Sequence, residues 1–144
     1  MKALKTIVLN MDASPESQRA LHTAIRLSQL SGATIIAVNV VNRHVVAQLA
    51  RAGDKSLAEI EVELEENGWR YLYAAEEEAK NAGARVVVLQ ESGYPEEIVP
   101  RLAGQHQADL VIVAYGNRAR TDITAVRSAE QIFEHAPCDV LFVK

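Results

Sequence analysis

The sequence predicts one α/β domain over residues 1–144, built on a mostly parallel five-stranded sheet with helices on both faces. Three observations carry that prediction. Five short apolar runs are continuous rather than alternating and rich in β-branched residues, the pattern of strands covered on both faces. Stretches of helical periodicity with recognisable caps separate them. The resulting order, β-α-β-α-β-α-β-α-β, gives parallel pairing and right-handed crossovers.

The predicted strands are Thr6 to Asn10, Thr34 to Val40, Arg85 to Leu89, Leu110 to Ala114 and Val140 to Val143. The first helix has Ser14 as N-cap and Pro15 at its first position, and Gly32 ends it. Ala20, Leu21, Ala24, Leu27 and Leu30 form its apolar face. The second begins at a capping box, Ser56-Leu57-Ala58-Glu59. Its inward positions are Leu57, Ile60, Leu64, Tyr71, Leu72, Ala75 and Ala79, and Gly83 closes it. Gly68 lies inside this helix and costs about 1 kcal/mol relative to alanine. The third starts near Pro95 and buries Ile98, Val99 and Leu102. Pro100 lacks the N–H that would bond to Glu96, which predicts a kink or a late start. The fourth runs from Asp122 or Thr124 to His135, with Val126, Ala129, Ile132 and Phe133 inward, and Pro137 stops it. Residues 42–55 read either as a short helix around Val45, Val46 and Leu49 or as a mobile connection.

Composition narrows the function. A chain of 144 residues, 49% hydrophobic and 24% charged, buries a core without help from disulfides. The net charge of -4 disfavours nucleic acid and anionic membrane surfaces, because no excess of cations neutralises phosphates. One cysteine, Cys138, rules out an intrachain disulfide. The N-terminus has no apolar signal segment and no run approaches a membrane span, so the expected location is the cytoplasm. His22, His44, His106 and His135 show no metal-ligand spacing and read as structural or surface residues; no metal site is expected.

Three segments together resemble the universal stress protein family. The first is Ile7-Val8-Leu9-Asn10-Met11-Asp12-Ala13-Ser14-Pro15-Glu16-Ser17, similar to the family's opening strand and turn. The second is Ala108-Asp109-Leu110-Val111-Ile112-Val113-Ala114-Tyr115-Gly116, similar to its fourth strand. The third, Ala129 to Val143, contains His135-Ala136-Pro137-Cys138, the most specific piece. The resemblance implies a Rossmann-like fold of the adenine nucleotide alpha hydrolase type, with strand order 3-2-1-4-5. Ligands in such sheets lie at the carboxyl ends of the strands, at the switch point. That places Asp12, either Val40 or Val41, and Gly116 around one crevice.

Nucleotide-binding members of the family carry Gly-x2-Gly-x9-Gly-Ser/Thr after the fourth strand. Glycines let backbone approach phosphate, and the next helix N-terminus supplies N–H donors and partial positive charge. In this chain Gly116 matches the first glycine, but Ala119, Val126 and Arg127 stand at the second glycine, the third glycine and the hydroxyl position. The spacer is also shorter. Thr121 or Asp122 can cap the following helix, and an Asp there sets a carboxylate where phosphate would sit. Arg118, Arg120 and Arg127 offer a different way to hold an anion. Asp12 contacts a base or ribose in one reading and merely organises the turn in the other.

The last strand, Val140, Leu141, Phe142 and Val143, lies at a sheet edge, and an apolar edge needs cover. Pairing with the same strand of a second copy provides it, as the resemblance to dimeric family members also implies. The leading expectation is a non-enzymatic, homodimeric stress-response protein with weak or absent ATP binding and no required cofactor. The alternative is an ATP- or AMP-binding switch.

Overall fold

The computed structural model describes residues 3–115 and 122–144. The chain runs β1 (Thr6–Asn10), α1 (Pro15–Ser31), β2 (Thr34–Asn42), α2 (Arg43–Ala52), α3 (Leu57–Asn81), β3 (Arg85–Gly93), α4 (Pro95–Gln105), β4 (Leu110–Ala114), α5 (Ile123–His135) and β5 (Asp139–Val143). All strand pairs are parallel and the order is β3-β2-β1-β4-β5, as expected.

Alternation within the buried strands divides the core in two. Ile7 and Leu9 of β1 face α1 and α3, meeting Leu21, Ala24, Leu72 and Ala75. Val8 between them faces α4 and α5, meeting Val99, Leu102 and Ile132. A strand buried on both faces carries apolar residues at successive positions for this reason. A small third cluster joins Val41, Val46 and Ile60 where α2 meets α3.

The helix ends follow their caps. Ser14 Oγ accepts from Ser17 N–H at 3.2 Å. Gly32 adopts φ +78°, and its N–H bonds to Ser28 O at 2.7 Å. Ser56 Oγ accepts from Glu59 N–H at 3.2 Å.

Several expectations need correction. β2 and β3 extend to Asn42 and Gly93, pairing over nine residues each. Gln90 and Glu91 interrupt the apolar run of β3, and the β2 run, ended at Val40 in the sequence reading, continues two residues further to Asn42. Leu30 is 85% exposed; Ile25, one turn earlier on the neighbouring stripe, is buried instead. Leu57 and Tyr71 are exposed on α3, and Phe133 is 61% exposed on α5, where Ser128, Ala129 and Ile132 face inward. α4 starts at Pro95 and continues through Pro100. Burial of Ile98, Val99, Leu102 and Ala103 against the sheet outweighs the missing hydrogen bond. Of the two readings of residues 42–55, the helical one describes residues 43–52. Asn42 Oδ1 caps α2 by accepting from His44 N–H at 2.9 Å.

Candidate functional site

β1 has β2 on one side and β4 on the other, so the chain reverses direction across the sheet between β1 and β4. Their carboxyl ends open into a crevice, as this topology requires. Its larger chamber, about 260 Å³, is lined by Asn10, Asp12, His44, Val113, Asp122 and Ser128 among others. An adjoining chamber of about 160 Å³ shares Asn10 and Asp12 and adds Met11, Asn39, Val40 and Tyr71.

A buried polar network fixes the turn after β1. Asn39, 5% exposed in β2, donates from Nδ2 to Met11 O at 3.0 Å. Gln90 Nε2 donates to Asn39 Oδ1 at 3.3 Å and to Glu65 O at 2.9 Å. α3 crosses this network at Gly68. A Cβ there would lie 2.1 Å from Asn39 Oδ1, so the helix approaches only because the residue is glycine. Asp12 follows. Its Oδ1 accepts from the Ser14 N–H at 2.8 Å and from the Ser14 hydroxyl, and its own N–H donates to Ser17 Oγ at 2.9 Å. Asp12 therefore organises the turn while lining both chambers.

The N-terminus of α5 is already occupied. Asp122 Oδ1 accepts from the backbone N–H groups of Thr124, at 3.0 Å, and Ala125, at 3.2 Å. These are among the few unpaired donors a helix start offers an anion. Asp12, Glu16 and Asp122 bring carboxylates to the larger chamber, and no Lys or Arg lines it among the described residues.

Glu96 joins three helices at the rim. His44 Nε2 of α2 lies 2.8 Å from Glu96 Oε2, and the Ser128 hydroxyl of α5 donates to Oε1 at 3.0 Å. An ionised carboxylate only accepts, so Nε2 carries the proton. The His44 ring also packs on Tyr94 at 4.6 Å. Burial pushes the Glu96 carboxyl upward, but bonds from His44, the backbone and Ser128, with the charge on His44, hold it below the ordinary value of 4.5. A lowered carboxyl pKa stabilises the fold above the unfolded value, and that stability is lost as pH falls through the folded value. Acid unfolding in urea should therefore show Glu96→Gln losing less stability than the parent as pH falls below 4.5. At neutral pH the same variant should be less stable by about 1–3 kcal/mol, the scale of hydrogen bonds to a charged group.

The other predicted residues separate. Val40 lines the smaller chamber, whereas Val41 is 1% exposed and packs with Val46 and Ile60. Arg127 is exposed on α5 and does not line the crevice. Gly116, Arg118 and Arg120 lie outside the described residues. Cys138 is half-buried; burial, then the charges of Asp139 and Asp109, push its thiol pKa up, which disfavours the reactive thiolate. Sequence reasoning missed Asn10, Glu96, Ser128 and the crevice position of His44. The one available signal was Asn10, a polar residue ending an otherwise apolar strand at the switch point. No helix among the described residues is long and apolar enough to cross a membrane.

The fold and crevice can be set beside known proteins. The profile of the universal stress protein family matches residues 3–144. A Staphylococcus aureus (strain USA300) protein named as a universal stress protein is 31% identical over 151 aligned positions, covering 100% of this chain and 86% of that protein. The solved structure of universal stress protein UspA from Lactobacillus plantarum superposes with TM-score 0.82 at 18% identity, over 100% of both chains. A universal stress protein solved in complex with cAMP superposes with TM-score 0.69 at 23% identity, over 99% of this chain and 98% of that one. Sequence match, strand order and site topology agree: this chain belongs to the universal stress protein family.

Proposed function

We propose that this chain is a non-enzymatic stress-response protein of the cytoplasm, acting as one domain over residues 1–144, that it works as a homodimer through its last strand, and that it binds ATP weakly or not at all. One observation carries the ATP reading: the Asp122 carboxylate holds the amides of Thr124 and Ala125 that a phosphate would need. The charge of Asp122, with Asp12 and Glu16 nearby, further disfavours a polyanion. The loss of the family's phosphate-loop glycines points the same way.

The side-chain order at Glu96 supports a non-catalytic role. Both the Ser128 hydroxyl and the His44 imidazole donate to the carboxylate between them. A nucleophile needs the imidazole beside the hydroxyl as base, with the acid behind it. The dimer reading rests on β5, an edge strand whose Leu141 and Phe142 are each 36% exposed.

The alternative, an ATP- or AMP-dependent switch, is favoured by the crevice at the switch point and by the related fold solved with cAMP. Asp12 and Val40 would then meet the nucleoside, and Gly116, Arg118, Arg120 and Arg127 its phosphates. Chromatography of nucleotide released by denaturing the freshly purified protein separates the two. The expected result is no stoichiometric nucleotide. About one adenine nucleotide per chain would establish the alternative.

A further inference from the structure

The acidity of this chain is concentrated on α3. The helix carries eight glutamates against two cations, Arg70 and Lys80, so it is more acidic than the whole chain, whose net charge is -4. Its inner side buries Ile60, Gly68, Leu72, Ala75 and Ala79. Its outer side is not the uniformly polar face of a solvated helix. Val62, Glu66, Trp69, Tyr73 and Glu77 follow there at helical spacing and make one stripe about 22 Å long.

The stripe has an ordered aromatic centre. Trp69 sits at its inner margin, half-buried against the core below α3. The Tyr73 ring stacks on it, with centroids 5.4 Å apart and planes at 27°. Tyr73 is nevertheless 58% exposed, and Val62 is 51% exposed. A ring already held in place loses little freedom when a partner covers it, and Trp and Tyr are the residues that most often carry interface energy.

The charges around that centre are only partly neutralised within the chain. Glu63 pairs with Lys55, Glu76 with Lys80 at 3.7 Å and Glu78 with His22 at 2.8 Å. Glu66 and Glu77, on the stripe itself, have no ion-pair partner among the described residues. Arg70 beside them donates to Asn67 Oδ1 at 3.0 Å instead. This sign of charge repels nucleic acid, an anionic membrane and the α3 of a second copy. It attracts a cationic protein segment. An arginine or lysine at the Trp69–Tyr73 pair gains cation–π attraction and finds Glu66 and Glu77 one turn away on either side, while Val62 takes an apolar side chain.

We infer that the outer stripe of α3 docks a cationic amphipathic helix of a partner protein, with Trp69 and Tyr73 as the aromatic anchor and Glu66 and Glu77 pairing its basic residues. This surface is separate from the crevice and from the β5 edge, and it stands whichever reading of those two holds.

Trp69 is the sole tryptophan of the chain, so its emission reports on the stripe directly. The probe is a synthetic helix of about 18 residues of Leu, Lys and Arg with one apolar stripe, long enough to lie along Val62 to Glu77. Titrated into the full chain at low ionic strength, it should shift Trp69 emission saturably, and added salt should weaken it. Anisotropy of the dye-labelled peptide follows the variants, with circular dichroism to confirm that they fold. Tyr73→Ala, and separately Glu66→Gln with Glu77→Gln, should each weaken binding about tenfold. A peptide of the same composition with its stripe scrambled should also bind at least about tenfold more weakly. No saturable change in Trp69 emission overturns the inference. Equal binding of the scrambled peptide reduces it to bare charge attraction and overturns it too, as does unchanged affinity in the folded Tyr73→Ala variant or in the folded double glutamine variant.

Discussion

Gly68→Ala should lower the stability of this protein by about 2–4 kcal/mol, although alanine is the better helix former by about 1 kcal/mol. The reason is local. The new Cβ would stand 2.1 Å from Asn39 Oδ1, 2.6 Å from Gln90 Nε2 and 2.7 Å from Asn39 Cγ. Gln90 can swing aside, because its amide reaches the surface of α3. Asn39 cannot do so freely: it is buried, and its Nδ2 holds the carbonyl of Met11. Moving it breaks that bond and leaves buried polar groups unpaired, at about 1–3 kcal/mol. Urea unfolding gives the measurement. In an Asn39→Ala background the same Gly68→Ala change should cost much less, because the clashing group is gone. A double-mutant cycle reads the difference as coupling. A stabilised Gly68→Ala variant would mean that α3 does not lie this close to β2.

Leu141→Lys and Phe142→Lys should each turn a dimer into a monomer, or into aggregate, by light scattering. β5 pairs with β4 on one side only. Its other edge is open among the described residues, and Leu141 and Phe142 are each 36% exposed. A second copy of the same strand would cover this edge about a two-fold axis. Lysine there adds a charge to each subunit directly at the shared edge. Within one subunit both side chains are partly exposed, so the fold itself should survive the change. An unchanged dimer in both variants would place the interface elsewhere.

Much of the fold was legible because its signals are local. β1 and β4 are uninterrupted apolar runs, and their bounds match the sequence reading. The caps at Ser14, Gly32 and Ser56 act within three or four residues, so the sequence displays them directly. β3 read short because Gln90 looks like a strand end. It belongs, with Asn39, to the network beneath Gly68, visible only once α3 is packed. Leu30 and Phe133 misled because helical periodicity marks a stripe without telling which edge of it the sheet covers.

The site divides in the same way. Asp12 and the Asp122 cap were readable from turn and cap chemistry. Glu96 was not: it lies 52 residues from His44 and 32 from Ser128, and nothing in the local sequence joins them. Asn10 stood in plain view at the end of β1, but its place in the site becomes informative only when the chambers around it are known.

In the proposed reading, Asp122 stands in this stress-protein crevice where a phosphate cradle would be. A thermal-shift titration with ATP and Mg²⁺ tests it most directly. A ligand present at 100 times its dissociation constant stabilises a fold by about 2.7 kcal/mol, a rise of several degrees for a chain of this size. No shift is expected at millimolar ATP. A saturable rise of several degrees, abolished by alanine at Arg118 and Arg120, would contradict it.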